Sequence, residues 1–163
     1  MTRPDVKQRS TYYVQLEDDV LTKKNFVKTM RDAASEWSAQ KRRWFVIDFC
    51  QLGFIGKLFK STSLPVLIQF FLAFYNDKPV DWLLMDVIQT MVCAPSQNAN
   101  KCKEEREQLK IQYKPSLFQH IGTHSSLKGK VSPKKYKRIM QSKGQRSFSS
   151  TCTTFVSGFY SWY

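Results

Sequence analysis

Acidic residues are absent from residues 131–163 of this 163-residue chain, where Lys, Arg, Ser and Thr are frequent. Residues 1–130 hold all 13 acids and 20 of the 26 bases, a net +7, and the remainder adds +6 to reach +13. Such a balance is compatible with nucleic acid, anionic membrane or phosphate-bearing ligands and selects none of them. Long apolar runs are also missing. The longest, Leu64 to Tyr75, is about a dozen residues and is broken by Pro65 and Gln69, short of the roughly 20 that a spanning helix needs. Met1 to Ser10 is polar, so no signal peptide is recognised there, and no N-x-Ser/Thr sequon occurs. The four cysteines, Cys50, Cys93, Cys102 and Cys152, are too few and too scattered for a zinc cluster. Cys93 and Cys102 bracket the polar stretch Ala94 to Lys101 and are compatible with a small disulfide in an oxidising compartment, or with two free thiols. What is present suits a globular domain: 42% apolar residues and 14% aromatics exclude a chain disordered throughout.

The most informative stretch is Tyr12-Tyr13-Val14-Gln15-Leu16-Glu17-Asp18-Asp19-Val20, an apolar run ending in three adjacent carboxylates. Tyr, Val and Leu favour extended, half-buried backbone, so this reads as a strand that carries the acids out of a sheet. At the mouth of a cleft their mutual repulsion calls for a cation or a ring of donors. A hard divalent ion such as Mn²⁺ or Mg²⁺ is one partner; a plain acidic cap for the following helix is the other reading.

From about Thr22 to Gln40, Phe26, Met30, Ala33, Ala34 and Trp37 recur at helical spacing, with Lys41-Arg42-Arg43 expected to cap the helix end. Trp44 to Cys50 reads as a buried strand in which Asp48 must be paired, protonated or facing a cleft. Gly53 and Gly56, three apart, permit tight turns or the close approach of a ligand. Ser63 is the expected cap of a helix with Pro65 in its first turn, running to about Tyr75 and apolar enough all round to be buried. A further helix spans Val80 to Met91, with Asp81 in its first turn. Lys103 to Gln108 is a charged helical candidate, and Leu109 to Tyr113 alternates as a strand does.

The only histidines, His120 and His124, fall in a segment read as a loop around Gly122. His120 is either a structural residue or a nitrogen ligand to the same metal as the acids. Residues 131–163 lose periodicity and are expected to be a poorly ordered or weakly docking tail, separate from a domain over 1–130. Aromatics are not regularly interleaved with its bases, which argues against nucleic acid as a partner.

Four blocks carry a resemblance: Tyr12 to Asp19, Asp48 to Lys57, Lys78-Pro79-Val80-Asp81-Trp82-Leu83-Leu84, and Lys114 to His120. Together they resemble the N-acetylglucosaminyltransferase IV family, the alpha-1,3-mannosyl-glycoprotein 4-beta-N-acetylglucosaminyltransferases of N-glycan branching, from about residue 11 to 130. The resemblance implies an α/β chain forming the C-terminal half of a GT-A, Rossmann-like domain, with a mixed sheet flanked by helices. It also implies the Golgi lumen or membrane, UDP-N-acetylglucosamine as donor, an N-glycan acceptor, a divalent metal, usually Mn²⁺, and inversion at the anomeric carbon.

By the same resemblance Glu17 and Asp18 bind substrate, Asp19 and His120 hold the metal, and Gly53 and Gly56 form a glycine-rich loop near the sugar donor. Asp81 resembles the catalytic base, with Asp48 as second candidate. Only about a dozen residues precede the acidic motif, Met85-Asp86 stands where the family has Asp-His, and a basic tail replaces the lectin-like region. Those departures predict a fragment, a truncated gene model or a shortened paralogue. They give as alternative a non-catalytic relative that interacts with other Golgi glycosyltransferases.

Overall fold

The computed structural model describes residues 10–121 and 160–162. Among the described residues, seven strands and four α-helices follow in the order β1 (Tyr12–Gln15), β2 (Val20–Thr22), α1 (Phe26–Ala39), β3 (Val46–Asp48), β4 (Lys57–Lys60), α2 (Leu64–Phe74), α3 (Val80–Val92), α4 (Ala99–Leu109), β5 (Lys110–Gln112), β6 (Phe118–His120) and β7 (Tyr160–Trp162). One sheet has the order β5-β3-β4-β1-β7, and β2 and β6 make a second, two-stranded one. β3 and β5 pair in parallel, while β4 runs antiparallel to both β3 and β1. The chain is thus the α/β protein with a mixed sheet that its sequence predicts.

Strand side chains alternate between faces, and each face has its own core. Val14, Ile47, Leu58 and Ile111 meet Met30, Ala33 and Ala34 of α1. On the other face Val46 and Phe59 meet Leu67 of α2, Leu84, Val87 and Ile88 of α3, and Leu109 of α4. Each large apolar side chain removed from water stabilises the fold by about 1.5–3 kcal/mol. The helical stripe read from Phe26 to Trp37 is therefore the inner face of α1, with both aromatics at its ends packed against the core.

The end of α1 differs from expectation. No basic residue lies in its last turn. Lys41 instead takes a left-handed φ of 53°, and the backbone closes the helix through Lys41 N–H to the Ser38 carbonyl (3.1 Å) and Arg42 N–H to the Trp37 carbonyl (3.2 Å). This is a Schellman closure made without glycine.

Helix α2 has Pro65 in its first turn, but the Ser63 side chain makes no capping bond because Ser61–Ser63 form a 3₁₀ turn leading directly into the helix. Nor is α2 buried all round. Leu64 and Leu67 face the core, whereas Leu72 is 70% and Val66 51% exposed, because the sheet covers only one side of the helix. Cys93 and Cys102 form a disulfide between the end of α3 and α4, with Cα atoms 5.1 Å apart. Among the described residues no helix is long and apolar enough to cross a membrane.

The boundary expected at residue 130, His124 and most of the expected tail lie outside the described residues; of the tail, 160–162 pair antiparallel with Tyr12–Val14.

Candidate functional site

The strand β1 ends at Gln15, and its acids turn the chain into β2. That turn is fixed from across the second sheet, where Val20 stands opposite His120 and Ile121 N–H donates to the Asp19 carbonyl at 2.9 Å. His120 is thus a strand residue, not a loop residue as its glycine neighbour suggests. The pairing brings its Nε2 to 2.9 Å from Oδ2 of Asp19. Oδ1 of Asp19 is buried, and no donor among the described residues reaches it.

Glu17 joins the same cluster from the other side. Its Oε1 accepts from Phe54 N–H at 3.2 Å. One ligand-type atom from each of Glu17, Asp19 and His120 lies within 4.8 Å of the others, a spacing that a single cation can bridge. Burial raises the Glu17 pKa above the ordinary carboxylate value, and the Asp19 charge adds to that. The Phe54 amide, His120 and Lys57 pull the other way. Asp18 is exposed at the tip of the turn.

The two glycines do different things. Both have left-handed φ, 51° at Gly53 and 63° at Gly56, so both bend the Phe49–Gly56 loop. Gly53 passes beside Glu17, with room for a β-carbon only at 3.2 Å from Oε1. Gly56 is buried, its N–H donating to the Gln15 carbonyl and its carbonyl accepting from Phe49 N–H, each at 2.9 Å. Its glycine is required by the ring of Phe118, which occupies the place of a side chain.

Of the two candidate bases, Asp48 is 2% exposed and lies inside the fold. Its Oδ1 is 2.5 Å from Lys57 Nζ, its Oδ2 3.6 Å from Lys110 Nζ, and Cys50 N–H donates to it at 3.2 Å. Asp48 is the paired form among the options that its sequence context allows. Asp81 is partly exposed in the first turn of α3, with no ion pair to another described residue. Contact between Phe54 and Phe71, ring centres 5.8 Å apart, brings the end of α2 to the Phe49–Gly56 loop; α3 starts a few residues later. Asp86, on the same helix, is engaged by Lys78 at 2.7 Å.

Sequence reasoning passed over Lys57 and Lys110. Asp48 was the available signal, since pairing with a cation is one way to satisfy a carboxylate in an apolar strand, and Lys57 stands opposite it.

Fold and cluster together define a mixed α/β domain whose β1–β2 turn, Phe49–Gly56 loop and β6 gather two carboxylates and an imidazole. The particular family follows from comparison with known proteins. A family model described as MGAT4 conserved region matches residues 5–139. Alpha-1,3-mannosyl-glycoprotein 4-beta-N-acetylglucosaminyltransferase B of Danio rerio is 48% identical over 123 residues, 76% of this chain and 22% of that protein. The Homo sapiens protein of the same name is 47% identical over 125 residues, 77% of this chain and 22% of that protein. The A form of Bos taurus is 42% identical over 125 residues, covering 77% of this chain and 23% of that protein. No solved structure matches the chain. The chain belongs to the family defined by the MGAT4 conserved region, and it spans about a fifth of the length of the curated relatives it matches.

Proposed function

We propose that the chain is the site-bearing part of a GT-A N-acetylglucosaminyltransferase of N-glycan branching. In this reading Glu17, Asp19 and His120 hold a divalent cation, most simply Mn²⁺, against the diphosphate of UDP-N-acetylglucosamine. The observation that carries it is the convergence of those three ligand atoms within 4.8 Å. Two carboxylates and an imidazole form a donor set suited to Mn²⁺, and the orphaned Asp19 Oδ1 has the unmet need for a positive partner that such an ion fills. The family and its relatives' names supply the sugar.

Bound there, the cation would neutralise charge on the departing diphosphate. The residues of this chain do the rest. Asp18, exposed at the tip of the turn, and Gly53, beside Glu17, border the space for the donor. Asp81 is the base of this reading: it takes the proton of the mannose 4-hydroxyl as that oxygen bonds to the anomeric carbon and the bond to the diphosphate breaks with inversion. Asp48 has no such role, because its carboxylate is committed to Lys57 and Lys110. The Golgi lumen is the compartment of this reading, and the Cys93–Cys102 disulfide agrees with an oxidising one.

The test is calorimetry of Mn²⁺-dependent UDP-N-acetylglucosamine binding to the purified chain, with Asp19→Ala alongside. Binding to the parent chain, lost in Asp19→Ala, is the expected result. Absence of binding to a demonstrably folded chain overturns the reading and leaves a non-catalytic relative that acts through other Golgi glycosyltransferases.

A further inference from the structure

Lys57 is 3% exposed, which is costly for an ammonium unless its surroundings use the charge. It donates to Asp48 Oδ1 at 2.5 Å and to the Cys50 carbonyl at 2.7 Å. An apolar pair at these facing positions would hold β3 to β4 as well or better, so strand pairing alone does not account for the two charges. The second acceptor does. Cys50 lies at the neck of the Phe49–Gly56 loop, where Phe49 N–H also closes on the Gly56 carbonyl at 2.9 Å.

Both arms of the carboxylate–imidazole cluster hang from that neck. Beyond it the loop presents Phe54 N–H to Glu17 at 3.2 Å. On its other side the Phe49 carbonyl accepts Leu117 N–H at 3.0 Å and the Ser116 hydroxyl at 3.1 Å, which fixes the start of the strand that ends in His120. We propose that Lys57, held by Asp48, is a positioning residue: its ammonium locks the loop neck at Cys50 and so sets Glu17 and His120 at the separation a cation requires. The ligand role of those two side chains rests on the function proposed above; the lock on the loop does not.

The experiment compares the full-length parent chain with Lys57→Met/Asp48→Asn, which removes both buried charges together and leaves neither ion unpaired with the other. Thermal unfolding, Mn²⁺ affinity by calorimetry and hydrogen exchange at the Phe54 amide by NMR are measured on each. The expected result is a melting temperature within a few degrees of the parent, Mn²⁺ affinity reduced at least tenfold and Phe54 exchange accelerated at least tenfold. Parent-like affinity and exchange in the folded variant would overturn the proposal and make the pair merely structural. If the parent itself binds no Mn²⁺, the ligand reading fails, and the Phe54 amide alone decides the lock: faster exchange supports it, unchanged exchange overturns it. Should the double variant not fold, Lys57→Gln carries the same readouts, since its amide is one atom shorter and cannot reach Asp48 and Cys50 together.

Discussion

Gly56 lies against Phe118 so closely that a β-carbon on the glycine would sit 2.5 Å from Cδ2 of the ring and 2.6 Å from Cε2. Phe118 is buried and two residues from His120 on the same strand face, so whatever displaces the ring tilts the imidazole. Gly56→Ala therefore combines overpacking with a left-handed φ that alanine tolerates poorly, for a loss of about 2–4 kcal/mol. Chemical denaturation should show that loss, and calorimetry should show weaker Mn²⁺ binding in the protein that remains folded.

Glu17 gives the stability a definite pH dependence. Its folded pKa is raised, so the folded chain holds a proton that the unfolded chain has released, and stability falls as pH rises from about 4.5 through the folded value. Glu17→Gln has no such proton to lose. Without metal, the variant should become progressively more stable than the parent as pH rises from about 4.5 through the folded value, the two converging at the acid end. In the metal reading proposed above, saturating Mn²⁺ should reverse the order at pH 7, because only the parent keeps the Glu17 carboxylate. Melting curves at each pH, with and without Mn²⁺, measure both effects.

The Cys93–Cys102 bridge closes a short loop, with a sequence separation of 9. Loop-closure entropy for a ring of this size amounts to about 2–3 kcal/mol. Reduction, or Cys93→Ser/Cys102→Ser, should lower the melting temperature by roughly 5–10 °C for a chain of this length. Because the bridge joins α3 to α4, amides at the facing ends of those helices should lose protection first.

Lys41 occupies a conformation that glycine adopts at little cost, at φ 53°. Lys41→Gly removes that strain but adds freedom to the unfolded chain, for a net gain of roughly 0.5–1 kcal/mol. Thermal unfolding should shift upward by about 1–4 °C with no change in metal affinity.

What was legible in the sequence was what local periodicity encodes. The α1 stripe from Phe26 to Trp37 needs only a repeat near 3.6, and Val80 onward announces α3 the same way. Elements defined by distant partners were not legible. His120 reads as a loop residue because Gly122 and the hydroxyls follow it; the strand exists because Val20, Leu21 and Thr22 pair with it. Lys57 looks like a surface lysine beside two glycines until the β3–β4 register sets it opposite Asp48. Gly56 looks like a ligand-binding glycine until Phe118, far along the chain, fills its space. For α2, composition suggested burial on all sides, yet a helix on one face of a single sheet has only one side to bury.

The β2–β6 ladder joins segments about a hundred residues apart and is only three residues long on each strand. It sets Asp19 beside His120, with the bonds of Leu117 and Ile121 to flanking backbone in support. Closing that long loop costs entropy that three residue pairs must recover with help from whatever the side chains capture between them. In the metal reading proposed above, ion capture depends on this connection: a chain that has not zipped the ladder would offer only the local acids of the β1–β2 turn. In that reading metal affinity reports whether this long-range connection has formed.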